Sequence, residues 1–133
     1  MSDKKIINTN LAPKAIGPYS QAVLKDGWLF VSGQIPINPE TNELVAGDIA
    51  RQTEQVLNNL KGVIEAAGGQ LSDVIKTTVY LKDMNEFGGL NEVYGRYFSG
   101  NPPARATIEA ARLPKDVKVE IDAIAIIKSS SEI

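Results

Sequence analysis

The sequence predicts an α+β fold, in which a sheet of about five or six strands carries two helices on one face. Several segments alternate apolar and polar residues with period two, as half-buried strands do. One stretch, Ile49, Val56, Leu57, Leu60, Val63, Ile64 and Ala67, instead repeats at helical spacing for about five turns. A second, shorter helical stretch follows an intervening strand, giving the order strands, helix, strand, helix, strands.

The first strand is expected near Lys5-Ile6-Ile7-Asn8, and the prolines and glycine of residues 12–18 break the chain after it. Residues 19–24 and 28–32 flank Lys25-Asp26-Gly27, and Asp-Gly between two apolar runs signals a hairpin. Residues 33–42 read as a loop, with turn chemistry at Asn38-Pro39 and Thr41-Asn42. Asp48 is the expected N-cap of the long helix, and Gly68-Gly69 ends it. Residues 74–82 form the next strand, with Ile75, Val79 and Leu81 assigned to one face and Lys76, Thr78 and Tyr80 to the other. Asp83-Met84-Asn85-Glu86 has the spacing of a capping box, and Phe87, Leu90, Tyr94 and Tyr97 continue as the second helix.

Two further strands carry the candidate chemistry. In the first, Arg105, Thr107 and Glu109 share a face; in the second, Val117, Val119, Ile121, Ala123, Ala125 and Ile127 point one way and Glu120 and Asp122 the other. If these arms pair antiparallel through the loop at Leu113-Pro114, Arg105 falls diagonal to Glu120, with Asp122 or Thr107 between them. Arginine grips a carboxylate or phosphate bidentately, and glutamate can orient and deprotonate water. The plain alternative is a surface ion pair of little energetic weight. Against it, Ile124 and Ile126 share the Glu120 face, which places the polar patch at a buried boundary. Tyr80, Ile124, Ile126, Trp28 and Phe30 would stand open on that face unless another subunit covers them, so a homo-oligomer is expected.

With 133 residues, 43% hydrophobic and 23% charged, the chain reads as one ordinary globular domain, flexible at residues 1–4 and 129–133. No apolar run approaches a bilayer span, and Met1-Ser2-Asp3-Lys4-Lys5 is not followed by the apolar segment of a secretory signal. A cytoplasmic location and no membrane partner are expected. The absence of cysteine and histidine removes thiolate nucleophiles, zinc ribbons and Ser-His-Asp arrangements, and no cofactor or metal is expected. A formal charge of −2 without a Lys/Arg cluster gives no footprint of a nucleic-acid partner.

Ala15-Ile16-Gly17-Pro18-Tyr19-Ser20-Gln21, Val31-Ser32-Gly33-Gln34-Ile35-Pro36, Lys76-Thr77-Thr78-Val79-Tyr80-Leu81, Pro103-Ala104-Arg105 through Glu109, and residues 111–120 occur in this order. Together they resemble the Rid family of 2-iminobutanoate/2-iminopropanoate deaminases, over nearly the whole chain. The resemblance implies a chorismate-mutase-like α+β fold, with a mixed sheet, two helices on one face, and a homotrimer around a central β-barrel. It also implies a cofactor-free hydrolase that turns reactive 2-imino and enamine acids (2-aminoacrylate/2-iminopropanoate, 2-iminobutanoate) into 2-oxo acids and ammonia. By the same resemblance Arg105 holds the substrate carboxylate, Glu120 activates water, and Tyr19, Ser32, Gly33 and Asn91 line the pocket. Thr107, counted with the substrate-binding residues, departs from the cysteine of many relatives, which argues against an essential thiol and leaves a hydroxyl and a backbone amide at that position.

Each of these residues also has a plainer reading. Tyr19 and Ser32 suit turn and ladder contacts, Asn91 suits a solvated helix face, and Gly33 suits backbone geometry or the close approach of a ligand. Glu109, Glu120 and Asp122 could hold magnesium or calcium, although Arg105 on the same face would oppose a cation. Two other functions stay open: a non-catalytic 2-oxo acid module, and RNA cleavage or translation inhibition, against which the acidic balance weighs.

Overall fold

The computed structural model describes residues 3–128, so the expected flexible ends at 1–2 and 129–133 lie outside the described residues. The elements run β1 (Lys5–Ile7), β2 (Ala22–Lys25), β3 (Trp28–Gln34), β4 (Ile37–Asn38), β5 (Glu43–Leu44), α1 (Ile49–Ala66), β6 (Val74–Leu81), α2 (Phe87–Tyr97), β7 (Ala104–Glu109) and β8 (Val119–Ile126). Six strands form one sheet in the order β1-β2-β3-β8-β6-β7. The β6–β7 pair is parallel and the other pairs are antiparallel, so the sheet is mixed and the α+β expectation holds.

Asp26 and Gly27 take φ of 52° and 84°, the two successive left-handed conformations that a tight β2–β3 hairpin demands. Asp48 caps α1 by accepting from the Arg51 amide at 3.0 Å. At the other end, Gly68 at φ 94° donates to Glu65 and Gly69 to Ile64, closing a Schellman motif. Val56, Leu57, Leu60, Val63 and Ile64 of α1 are fully buried, and Val119, Ile121, Ala123 and Ala125 of β8 meet them in one core. Leu90, Val93 and Tyr94 bring α2 into the same layer.

Four expectations are corrected. Residues 33–42 are not all loop: Gly33 and Gln34 extend β3, and Ile37 pairs with Leu44 in a small hairpin turned by Asn42 at φ 61°. Ile75 does not join Val79 inside, because the β6 register slips between Val74 and Lys76; the bulge buries Val74 and leaves Ile75 exposed. Asp83 caps a short 3₁₀ turn at Met84–Glu86 through the Asn85 amide, while the Glu86 carboxylate reaches Lys118 at 3.7 Å instead of completing a capping box. The strands β7 and β8 do not pair, since β6 lies between them. The α2 crossover returns β7 parallel to β6 at the sheet edge, where its Arg105, Thr107 and Glu109 are tolerated. The central position goes to β8, whose alternate Val, Ile and Ala residues the core needs.

Of the residues expected to stand open on the outer face, Trp28, Phe30 and Ile126 are exposed, while Tyr80 and Ile124 are half-buried. Trp28 is 46% exposed, Phe30 49% and Ile108 48%, with the Trp28 ring stacked on Phe30 at 6.4 Å. Exposed apolar side chains gathered on one face are the kind of surface on which proteins associate. Among the described residues no helix is long and apolar enough to cross a membrane.

Candidate active site

Glu120 stands on the outer face of β8, beside a bulge in β3. Val31 pairs with Ala123 and Gln34 with Ile121, so three steps along β3 span two along β8 and Ser32 and Gly33 fall in the irregularity. The Ser32 hydroxyl donates to the Ser20 carbonyl at 2.6 Å and its amide to Gln21, which anchors the bulge to the preceding loop. A Cβ on Gly33 would overlap the Glu120 carboxylate, so glycine is needed here for close approach. Tyr19, Ser32, Gly33 and Glu120 form the polar side of a hollow of about 380 Å³; Ile16, Ile35 and Pro114 form its apolar wall. Burial, and after it the nearby Asp122 charge, pushes the half-buried Glu120 carboxyl above the usual glutamate range.

The loops around this hollow are pinned by amides to which no role was assigned from sequence. Buried Gln21 accepts from the Thr9 amide and donates to the Ala12 and Pro13 carbonyls, fixing residues 9–13. Asn59 of α1 donates to the carbonyls of Ile35 and Ile37 at 3.1 and 3.0 Å, holding one wall of the hollow. Its signal was present: a polar amide among Val56, Leu60 and Val63 breaks the apolar stripe, and such a residue must satisfy a partner. Tyr19 is held by its own turn, with its amide donating to Gly17 and its hydroxyl accepting from the Ile16 amide at 3.3 Å.

Arg105 lies elsewhere. It pairs with buried Thr77 and so points to the helix face. Its guanidinium sits 4.7 Å above the Tyr94 ring and 5.4 Å from that of Phe87. Tyr94 is itself fixed by a 2.7 Å hydrogen bond with Thr77, so β6 and α2 together hold a rigid aromatic platform under the cation. Asn91 lies four residues after Phe87 and three before Tyr94, which puts it on that same face of α2. Thr107, two residues beyond Arg105 on β7, shares the Arg105 face and is half-buried.

The expected diagonal between Arg105 and Glu120 is therefore corrected. Arg105, Thr107 and Asn91 gather on the inner side of the β7 edge; Tyr19, Ser32, Gly33 and Glu120 gather on the outer side of β3 and β8. Within one chain the sheet separates the two groups. The surface ion pair does not form either, because Arg105 stacks on rings. Nor does the carboxylate trio assemble: Glu109 faces inward and accepts from the Met84 amide at 2.8 Å, while Glu120 and Asp122 face outward.

A family model described as Endoribonuclease L-PSP matches residues 9–127. The solved structure of a protein of unknown function of the conserved Rid protein family from Yersinia pestis superposes with a TM-score of 0.91. It is 47% identical and covers 94% of this chain and 100% of that one. The chain belongs to the Rid family. This Rid protein is also 60% identical over 122 residues to a RutC family protein of Pyrococcus horikoshii, covering 92% of this chain and 97% of that one. It is 50% identical over 123 residues to the 2-iminobutanoate/2-iminopropanoate deaminase of Rattus norvegicus, covering 92% and 90%.

Chemically, the outer cluster offers a carboxylate raised toward basicity and two hydroxyls beside an apolar wall. The inner cluster offers a planar cation over two rings, and among the described residues no acceptor is bound to it. The packing of Glu120 over Gly33 gives a direct expectation. Gly33→Ala should displace the carboxylate and lower turnover by about tenfold or more, while the melting temperature stays within about 4 °C of wild type because a flexible side chain absorbs the clash. Initial rates and thermal melts check both; an unchanged rate would mean that the position of Glu120 over Gly33 is not required.

Proposed function

We propose that this Rid protein hydrolyses reactive 2-imino and enamine acids to 2-oxo acids and ammonia, in sites shared between copies of a homotrimer. The observation that carries the reading is Glu120, a half-buried carboxylate with raised proton affinity turned into a hollow of small-substrate size. A relative that is half identical and named 2-iminobutanoate/2-iminopropanoate deaminase supports it. The separation of Arg105 from Glu120 within one chain, with an apolar outer face that needs cover, supports a site completed by a neighbouring copy.

An enamine first tautomerises to the imine, whose carbon is electrophilic once its nitrogen is protonated. Arg105 from a neighbouring copy holds the carboxylate through a bidentate pair and thereby fixes that carbon. Glu120 takes a proton from water as its oxygen bonds to the imine carbon, giving a carbinolamine. Glu120 then returns the proton to nitrogen, the C–N bond breaks with its electron pair to release ammonia, and the hydroxyl of the carbinolamine gives its proton to Glu120 as the carbonyl forms. The Tyr19 hydroxyl faces the same hollow and orients the water or the imine nitrogen. Thr107 contributes a hydroxyl and Asn91 an amide beside Arg105. Ile16, Ile35 and Pro114 receive the alkyl side chain. For RNA the arrangement is unfavourable, because Glu120 and Asp122 on one face repel a phosphate backbone.

The test is an assay with 2-aminoacrylate generated in place by a pyridoxal-phosphate-dependent dehydratase. Catalytic amounts of the protein should accelerate 2-oxo acid release well above the spontaneous rate. Tight 2-oxobutanoate binding without acceleration would instead make the protein a binding module.

A further inference from the structure

Glu120 and Asp122 lie two residues apart on β8 and face the same way. On β6, Tyr80 stands directly across from Glu120, and Thr78 across from Asp122. A phenol opposite a carboxylate is its nearest donor. Yet the Tyr80 hydroxyl donates to Asp122 Oδ2 at 3.1 Å, passing over its cross-strand partner. Glu120 leans the other way, over Gly33. Among the described residues of its own chain, no donor reaches it.

We propose that Asp122 and Tyr80 are positioning residues for Glu120: Asp122 captures the hydroxyl that would otherwise satisfy Glu120, and so keeps that carboxylate free to accept a proton from the attacking water. The inference rests on Glu120 being the base that activates water. A hydrogen bond donated to a carboxylate stabilises its charged form and weakens it as a base. Burial, then the bond to Asp122, pushes the Tyr80 phenol above its usual range, so it remains a donor at neutral pH.

The surroundings leave few other groups to act on Glu120. From β3 come Ser32 and Gly33, from the 12–20 loop Tyr19, and from the outer side of β7 Ala106 and Ile108. Lys76 stands further along β6, opposite Ile124. In the turn before β8, Arg112 and Asp116 pair with each other at 2.9 Å in solvent, and Lys118 goes to Glu86. In the proposed trimer, Arg105 from a neighbouring copy is common to all variants below.

The experiment follows the Glu120 carboxyl by carbon-13 titration, alongside the pH profiles of kcat and kcat/KM. In Asp122→Ala the Glu120 carboxyl loses the push of the Asp122 charge and gains the released phenol, so its midpoint should fall by roughly half a pH unit or more, and further than in Asp122→Asn, which loses the charge alone. The acid limb of kcat/KM should move with it, and plateau kcat should fall about threefold. Removing the phenol as well, in Asp122→Ala/Tyr80→Phe, should return kcat toward wild type, which a merely structural role would not do. Asp122→Asn removes the charge but keeps an acceptor for Tyr80, so its plateau should lie above that of Asp122→Ala. A Glu120 midpoint in Asp122→Ala no lower than in Asp122→Asn, or a double variant no faster than the single one, overturns the inference. A midpoint that moves while the acid limb stays fixed overturns Glu120 as the base, and the inference with it.

Discussion

Glu120→Gln should lower imine turnover by about a hundredfold or more, the usual contribution of a positioned general base, while 2-oxobutanoate still binds and the oligomer persists. The amide fills the same space over Gly33 but cannot take a proton from water. Stability should move the opposite way from activity. In the folded chain the Glu120 carboxyl holds its proton more tightly than an ordinary glutamate, so its contribution to stability is present below the ordinary value of 4.5 and is lost as pH rises through the raised folded value. At neutral pH the ionised Glu120 is therefore a cost, which glutamine removes. The variant should melt at or above the wild-type temperature at neutral pH, with the gap closing as pH falls below 4.5. Melting curves across this range, with initial rates, check both. A variant with near-normal turnover would remove Glu120 from the mechanism.

Arg105→Ala should be equally inactive for a different reason. Its loss removes two charge-assisted hydrogen bonds to the substrate carboxylate, a loss of about a hundredfold or more in 2-oxobutanoate affinity. Arg105 sits over the Phe87 and Tyr94 rings, and Arg105→Lys should rescue only partly, because a lysine cannot present a planar fork from the same platform. Calorimetric titration of 2-oxobutanoate into both variants decides the matter. Near-normal binding in Arg105→Ala would eliminate the clamp.

Local chemistry made much of this legible in the sequence. The Asp48 cap, the Asp26-Gly27 turn and the stripe of α1 follow from short-range rules, and the alternation of β8 already put Glu120 on the face opposite its core residues. The inward turn of Arg105 was hidden because it depends on which strand lies beside β7. Sequence neighbours usually pair, but here β8 is the most apolar of the late strands and takes the centre of the sheet, leaving β7 at the edge. The bulges at Ile75 and at Ser32-Gly33 were hidden for a related reason, since a register slip is visible only against a partner strand. Gly33 and Glu120 were both named as site residues, yet only the fold shows that one makes room for the other.

The central claim is that each site takes its cation from one copy and its carboxylate from another, and subunit mixing tests it most directly. Arg105→Ala and Glu120→Gln chains, each inactive alone, are co-expressed in equal amounts, and the rate of imine loss is measured on the mixed oligomers. Random assembly should give about a quarter of the interfaces both an intact arginine and an intact glutamate, and so about a quarter of wild-type activity. Mixed oligomers as inactive as either parent would contradict the account, because both residues would then have to come from the same chain.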